Sequence, residues 1–234
     1  MMDLIYDVFS KFFSILFGGS DEVWIIAGRT AIICSISTAI SFLLGASIGF
    51  AMALIPFRGR SAVVAFANTG MGMPPVVAGL IVAVLLWRSG PLGGLGLIYT
   101  PVAMIISQCI IAVPLVSAIT AGSLMALPES LLLQIRSLGA SPYRAVLILG
   151  YEARLSLVVA LMAGFGAVIS EVGAAMMVGG NLSGETRVLT TATVLLVGKG
   201  QFEEAIAYGV VLLSMVFVVA SVLTLVQSMA NKRV

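Results

Sequence analysis

Long apolar runs separated by short polar breaks dominate the chain from residue 21 onward. Five of these runs reach the roughly 20 residues that a helix needs to cross the hydrocarbon core of a bilayer. We therefore predict an all-α integral membrane protein with about five transmembrane helices in one domain, residues 21–230. The predicted spans lie near residues 23–55, 62–87, 100–125, 155–178 and 205–228.

The first 20 residues follow a shorter, amphipathic pattern. Apolar residues such as Phe9 and Phe12 recur at helical spacing, while Asp7 and Lys11 share the opposite face. Such a helix buries its apolar side in the headgroup boundary and keeps its charges in water. We predict an interfacial amphipathic helix over residues 1–20.

Glycine and proline residues modify the apolar pattern in the first two spans. Gly45 and Gly49 are four residues apart, a step that permits close packing of a second helix, although glycine is also common in ordinary membrane helices. The second span is broken between Asn68 and Pro75, where glycines and prolines free backbone groups that lipid cannot satisfy. Broken spans often line transport routes. Asn68 and Thr69 therefore become candidate residues of a permeation path.

Composition excludes several classes of function. Hydrophobic residues make up 60% of the chain, charged residues 9%, and the mean hydropathy is +1.17, values typical of membrane proteins. The chain has no histidine, which excludes a Ser-His-Asp triad and any His-ligated metal site. A net charge of +2 with scattered basic residues does not indicate nucleic-acid binding. No GxxxxGK[ST] sequence occurs, so we expect no enzyme activity and no nucleotide site of that kind.

A polar segment between the third and fourth spans predicts a helix, a tight turn and a second helix over residues 128–143. Pro128 is suited to a helix start and Gly139 to a left-handed stop, while Ser141 and Pro142 are suited to the cap and first position of the next helix. The expected apolar stripe of the first helix is Leu131, Leu132, Ile135 and Leu138. The segment could rest on lipid headgroups, but the fixed turn favours docking of a soluble partner.

This segment resembles the cytoplasmic loop of the permease subunits of ABC importers, which carries an EAA-type motif with a central glycine. The matching sequence is Arg136-Ser-Leu-Gly139-Ala-Ser. Leu133, Gln134 and Ile135 occupy the Glu-Ala-Ala positions of the motif, a departure from the family. The resemblance implies that the segment is a coupling helix which contacts the ATPase subunit. The residues implied in that contact are Leu133, Gln134, Ile135, Arg136, Ser137, Leu138, Gly139, Ala140 and Ser141.

A second block, from Gly164 to Ala192, resembles oxyanion permeases and is most similar to the tungstate-specific group. It contains Met-Met-Val-Gly-Gly-Asn181 and Thr190-Thr191, followed by Gly198-Lys-Gly-Gln-Phe. The resemblance implies a homodimer that works with two ABC ATPase subunits, which bind ATP and Mg, and with an extracytoplasmic oxyanion-binding protein. It also implies a multi-pass location in the cell (inner) membrane, in contact with lipid, and no cofactor on this chain.

An oxyanion path should offer hydroxyl, amide and backbone N–H donors with little fixed charge, because a tight cationic site would hold the ion too long. Besides Asn68 and Thr69, the candidate donors are Asn181, Ser183, Thr190 and Thr191. Each of them could equally cap a helix or satisfy a loop. Glu171 is a carboxylate in an apolar run, with Arg29 as a plausible partner in a structural pair.

Orientation follows from the positions of Lys and Arg. If the Arg58 turn, the 127–157 segment and the carboxyl-terminal tail are cytoplasmic, that side carries seven basic residues against four on the other side. We therefore predict an external amino terminus and a cytoplasmic carboxyl terminus.

Two other functional interpretations stay open at this point. The substrate could be molybdate or sulfate, because similar oxyanions share charge and shape. A different class is a proton-coupled secondary transporter that uses Glu171, although no inverted repeat is visible in the sequence. A membrane scaffold would explain a docking helix but not the Gly-Pro break in the second span.

Overall fold

The structure, a computed structural model, describes Ser10, residues 13–14 and residues 21–231, without the side chains of residues 129, 230 and 231. These described residues form α-helices and one 3-10 turn and contain no strand, which confirms the all-α class. The amphipathic helix predicted over residues 1–20 lies almost wholly outside them, as does the Lys232-Arg233 tail.

Ten α-helices follow one another in the part of the chain from residue 21 to residue 231. They are α1 (Asp21–Leu54), α2 (Arg60–Met71), α3 (Pro75–Leu86), α4 (Pro101–Met125), α5 (Glu129–Ser137), α6 (Pro142–Glu152), α7 (Arg154–Ile169), α8 (Gly173–Gly179), α9 (Leu189–Gly198) and α10 (Phe202–Asn231), with the 3-10 turn at Gly93–Leu95. Helices α1, α4 and α10 are each long and apolar enough to cross a membrane. The pairs α2–α3 and α6–α7 can each form one broken span, so the protein is a multi-pass membrane protein with three to five spans.

The structure agrees with the predicted first, third and fifth spans to within about four residues at each end. The predicted break in the second span is present, but it is shorter than expected and covers only the three residues before Pro75. Asn68 and Thr69 therefore lie in helix α2 and not in the break. Pro75 is the first residue of α3. The N–H of a first helical residue has no partner within the helix, so a proline, which lacks it, costs no hydrogen bond there.

The prediction of one continuous fourth span over residues 155–178 is wrong. Helix α7 ends at Ile169, and the separate helix α8 begins at Gly173. The Glu171 carboxylate lies in this interruption, and its Oε1 accepts a hydrogen bond from the Ala174 N–H at 2.6 Å. A side-chain acceptor at this position satisfies a free N–H of the new helix, so the polar residue starts a helix in the middle of an apolar run.

The helices are distributed over two compact units. The first unit comprises the described residues within 1–37, 74–108 and 168–219. One of its cores is formed by the start of α1, by α9 and by α10. The buried residues of this core are Val23, Ile26, Ala27, Leu189, Ala192 and Val211. Elsewhere in the unit, α3 and α8 approach closely, because a Cβ at Gly79 would lie 2.5 Å from Ala174 Cα.

The second unit comprises the described residues within 38–73, 109–167 and 220–234. Here the two glycines of the GxxxG step face α4: a Cβ at Gly45 would lie 2.7 Å from Val116 Cβ, and one at Gly49 2.6 Å from Thr120 Cβ. The predicted close packing at this step is therefore confirmed. Whether residues 21–230 act as one domain stays a prediction.

Candidate functional site

Helices α5 and α6 in the second unit form the helix–turn–helix that the sequence predicts. Gly139 has a φ of +77° and follows the last residues of α5. Its N–H donates to Arg136 O at 3.0 Å, and the Ala140 N–H donates to Ile135 O at 3.3 Å. These two bonds satisfy carbonyls at the end of α5 that would otherwise lack donors. Only a residue that tolerates a left-handed backbone fits here, which explains the glycine.

Helix α6 begins as predicted, one residue after its cap. The Ser141 Oγ accepts a hydrogen bond from the Arg144 N–H at 3.4 Å, and Pro142 occupies the first helical position. The turn between α5 and α6 is thus closed on both sides, by backbone bonds before it and by a side-chain cap after it. A turn closed in this way holds the two helices in one orientation.

One face of the helix–turn–helix is anchored in the second unit. Ile135 is 5% exposed, and it belongs to a buried cluster with Leu124, Ala145, Leu149 and Ala153. Leu131 and Leu132 pack against the same cluster. Burial of these side chains holds the element on its own protein.

The element also carries large apolar side chains that are exposed. Leu138 is 86% exposed, Tyr143 73% and Leu133 66%. Of the predicted apolar stripe, Leu131, Leu132 and Ile135 pack in or against the buried cluster, whereas Leu138, which follows α5 and precedes the left-handed Gly139, is exposed. Of the other implied contact residues, Gln134, Arg136, Ser137, Gly139 and Ser141 are exposed and Ala140 is half-buried.

The connection from α6 to α7 is bent by 75°, and two side chains meet at this bend. The Arg154 guanidinium carbon lies 4.3 Å from the centre of the Tyr151 ring. Arg154 Nη1 also donates to Tyr151 O at 2.8 Å. A guanidinium over an aromatic face is attracted by the ring quadrupole. The pair therefore links the helix–turn–helix to the apolar helix that follows it.

Four of the predicted path residues form two connected pairs in the first unit. Thr190 Oγ1 donates to Glu171 O at 3.3 Å, and both residues are buried. Asn181 Nδ2 donates to Thr191 O at 3.4 Å, and Asn181 has a left-handed backbone with a φ of +51°. The structure therefore brings together residues that lie 10 to 19 positions apart in sequence.

The hydroxyl and carboxylate groups of these residues serve the fold in this conformation. Thr191 Oγ1 accepts from the Val188 N–H and donates to Val188 O, both at 3.1 Å, and so caps the start of α9. Among the described residues, Asn181 Oδ1 is a buried atom without a hydrogen-bond partner. That atom is an acceptor, so it would not attract an anion.

Ser183 lines a pocket of about 350 Å³ together with Glu22, Arg29 and Arg187. Arg29 Nη1 donates to Arg187 O at 3.0 Å, and Nη2 donates to Gly184 O at 2.6 Å. Arg187 forms an ion pair of 3.5 Å with Glu22. The hypothesis that Arg29 pairs with Glu171 is therefore wrong, since Arg29 binds backbone carbonyls of the 182–188 loop while Glu171 caps α8.

The remaining path candidates, Asn68 and Thr69, belong to the second unit. Both are exposed on α2, and Thr69 Oγ1 donates to Ala65 O at 2.8 Å within the helix. Such back-bonding is the usual state of a threonine inside a helix.

Sequence reasoning missed three buried polar groups of the first unit. Thr30 Oγ1 accepts from the Leu189 N–H at 2.9 Å, Ser37 Oγ donates to Gln108 Oε1 at 2.6 Å, and Thr186 Oγ1 accepts from the Leu182 N–H at 2.9 Å. Gln108 could have been singled out from the sequence, because a side-chain amide within a long apolar run needs a hydrogen-bond partner. Serine and threonine are so common in membrane helices that their positions in the sequence do not predict their hydrogen-bond partners.

Comparison with known proteins identifies the family. The chain is 40% identical to a probable anion ABC transporter permease protein of Haloferax volcanii over 195 residues, which are 80% of this chain and 84% of that relative. The chain belongs to the ABC transporter permease family. The permease is also 34% identical to two proteins named tungstate uptake system permease protein TupB. One, from Campylobacter jejuni, matches over 92% of this chain and 90% of its own length. The other, from Peptoclostridium acidaminophilum, matches over 95% and 97%.

No protein-family model matches the permease. The family assignment therefore rests on these relatives, which cover most of the chain, and it confirms the resemblance found in the sequence. Two features of the permease are not explained by apolar packing alone: the exposed helix–turn–helix and the hydrogen-bonded polar groups of residues 171–191.

Proposed function

We propose that this permease forms the membrane path of an ATP-driven importer whose substrate is an oxyanion, most specifically tungstate. The observation that carries the proposal is the likeness to two proteins named tungstate uptake system permease, over 92% and 95% of the chain. Moving a divalent anion into a negative-inside cell costs about 4.6 kcal/mol per 100 mV. Uptake therefore needs an energy source, and this sequence lacks a Walker-type nucleotide motif.

The energy source in this proposal is a pair of ABC ATPase subunits that bind ATP and Mg. The permease acts as a homodimer, so that two copies enclose one path and each copy offers one helix–turn–helix to one ATPase subunit. An extracytoplasmic binding protein delivers the anion. In support, three to five spans are few to enclose a gated path within a single chain.

The helix–turn–helix of α5 and α6 is the proposed coupling contact, and it includes the residues from Leu133 to Ser141. Its anchored face, centred on Ile135, and its exposed face, centred on Leu138, are the two properties that a coupling element needs. The exposed leucine can enter a groove of the ATPase subunit. Closure of the ATPase pair then moves the anchored face together with the helices on which it packs, and this rocks the spans between inward-open and outward-open states.

The proposed orientation places three polar segments within the ranges of the second unit on the cytoplasmic side: the Arg58 turn, residues 127–157 and the carboxyl-terminal tail. Seven of the twelve Lys and Arg residues fall in the residue ranges of this unit, whereas eight of the ten Asp and Glu residues fall in those of the first. The excess of Lys and Arg is the quantity that sets membrane topology. This distribution supports a cytoplasmic carboxyl terminus and an external amino terminus.

The path itself is proposed to involve Asn68, Thr69, Asn181, Ser183, Thr190 and Thr191. Several of their polar groups hold backbone atoms in this conformation, so the proposal requires that the 171–191 segment rearranges during transport. Glu171 is proposed as a structural residue that starts α8, because its carboxylate accepts the Ala174 N–H.

The test is to express the permease with its candidate ATPase and binding protein, purify the complex and reconstitute it in proteoliposomes. ATP hydrolysis should rise when the binding protein carries tungstate, and less with molybdate or sulfate. Equal stimulation by molybdate would move the assignment to another oxyanion. Uptake that persists without ATP and is lost when the proton gradient is dissipated would instead indicate a proton-coupled secondary transporter.

A further inference from the structure

Two adjoining cavities of the second unit form one groove along helix α1. The first cavity, of about 430 Å³, is lined by Phe42, Leu43, Phe50 and other apolar residues of α1. The second, of about 580 Å³, reaches Arg136 and Tyr143 of the helix–turn–helix. The two cavities share Leu54, Ile55 and Val146 in their linings, so they are continuous.

The groove has an apolar end and a cationic end. At the apolar end the one lining hydroxyl, Ser47 Oγ, donates to Leu43 O at 2.7 Å, which leaves only hydrocarbon to contact a ligand. The other end is lined by Arg136 and by the exposed Tyr143. Arg136 is the one charged residue among those that line this end, so an anion is favoured there.

The length of the groove corresponds to one leaflet of a bilayer. From Phe42 to Leu54, α1 extends about 18 Å at 1.5 Å per residue, and Ile55 continues the lining just beyond the helix. Half of a bilayer with its headgroup region measures roughly 20–22 Å. A phospholipid that places its phosphate near Arg136 would therefore lay an acyl chain against Phe50 and Phe42.

We propose that this groove is a binding site for one anionic phospholipid, whose phosphate contacts Arg136 and whose acyl chain lies along α1. The lining of the site shares no residue with the proposed transport path, and the site does not depend on the nature of the substrate. Arg136 belongs to the proposed coupling segment as well, so the lipid phosphate would lie beside the ATPase contact, for which Leu138 and Tyr143 remain exposed. In the proposed orientation the phosphate lies in the cytoplasmic leaflet, where anionic lipids attract basic residues.

The experiment uses the purified full-length permease in detergent, without an ATPase, so that transport does not enter the readout. Native mass spectrometry measures the binding of phosphatidylglycerol and of phosphatidylcholine with identical acyl chains. We expect tighter binding of phosphatidylglycerol. Arg136→Gln should weaken that binding about fivefold, the effect of one basic residue near a membrane surface, and should leave phosphatidylcholine unchanged. Arg144→Gln, an equal charge change on the same element, should change it less than about twofold because Arg144 does not line the groove.

The apolar end is tested with a second variant. Ala46→Trp fills the groove and should weaken both lipids, while Ala220→Trp, on α10 and outside the lining, should weaken neither. If Ala46→Trp does not purify as a monodisperse protein, Val146→Trp blocks the shared section instead.

The proposal would be overturned by equal binding of the two lipids, by equal effects of Arg136→Gln and Arg144→Gln, or by unchanged binding in the groove-filling variant. Displacement of phosphatidylglycerol by millimolar inorganic phosphate would assign the cationic end to a free oxyanion, and this too would overturn it. Because no ATP, ATPase or tungstate is present, failure here leaves the importer assignment untouched.

Discussion

Ile135 in the last turn of α5 is 5% exposed, whereas Leu138, three positions later and directly after the last residue of α5, is 86% exposed. Residues three positions apart normally share a face of a helix. The difference arises because Leu138 ends the helix and the left-handed Gly139 follows it. The same short segment thus supplies an anchor for its own protein and an apolar contact for another.

Replacing each of these two residues by alanine should affect different properties: the stability of the permease in one case and its association with the ATPase in the other. Ile135→Ala removes buried methyl groups and should cost about 2–4 kcal/mol of unfolding free energy, whereas Leu138→Ala should change it by less than about 0.5 kcal/mol. Leu138→Ala should instead reduce co-purification of the ATPase. Thermal unfolding of the permease alone and pull-down of the complex measure the two effects. Normal ATPase association in Leu138→Ala would contradict the proposed contact.

Gly139→Val should uncouple ATP hydrolysis from uptake while membrane insertion stays normal. A Cβ at residue 139 would meet no atom within 4 Å, so the expected defect comes only from the φ of +77°. A β-branched residue disfavours this backbone by roughly 1–2 kcal/mol. The assay is the ratio of tungstate taken up to ATP hydrolysed in proteoliposomes.

Gly122→Val is the matched control for that variant, because Gly122 also has open space around it but no positive φ. It should keep the ratio of the unmodified protein. If both valine variants retain normal coupling, the α5–α6 turn is not the element that transmits closure.

Glu171→Gln should preserve uptake, because a glutamine Oε1 can still accept the Ala174 N–H. Glu171→Ala removes the acceptor and should destabilise the protein by about 0.5–2 kcal/mol, the usual cost of a lost cap. Uptake and thermal stability of the two variants are compared under the same conditions. A proton relay would show the reverse order, with Glu171→Gln inactive despite normal stability.

Arg29→Ala should loosen the loop over residues 182–188, because Arg29 holds the carbonyls of Gly184 and Arg187. Hydrogen exchange should accelerate at the Thr186 and Arg187 amides, which both donate to Leu182 O. Glu22→Gln is the control, because it removes only a long ion pair with an exposed carboxylate, worth about 0–1 kcal/mol. Unchanged exchange in Arg29→Ala would show that the loop does not depend on this anchor.

Much of the helix–turn–helix could be predicted from local rules. Gly139, Ser141 and Pro142 are local signals, and each has the backbone or capping role that its residue type favours. The start of α8 could not be predicted in the same way. Glu171 looked like half of a buried ion pair, since the sequence does not tell which distant or nearby group a buried carboxylate will meet.

By itself, the sequence determined that the protein is helical, crosses the membrane several times and carries a capped polar segment, because hydropathy, helical period and turn chemistry act over a few residues. Only the tertiary structure decided that Ile135 is buried beside an exposed Leu138, that Arg29 holds a loop and that Glu171 starts a helix. The reason is that burial and hydrogen-bond partners depend on packing between segments far apart in the chain, for example Arg29 and Gly184, 155 residues apart. The hydrophobic pattern of a short segment does not predict such contacts.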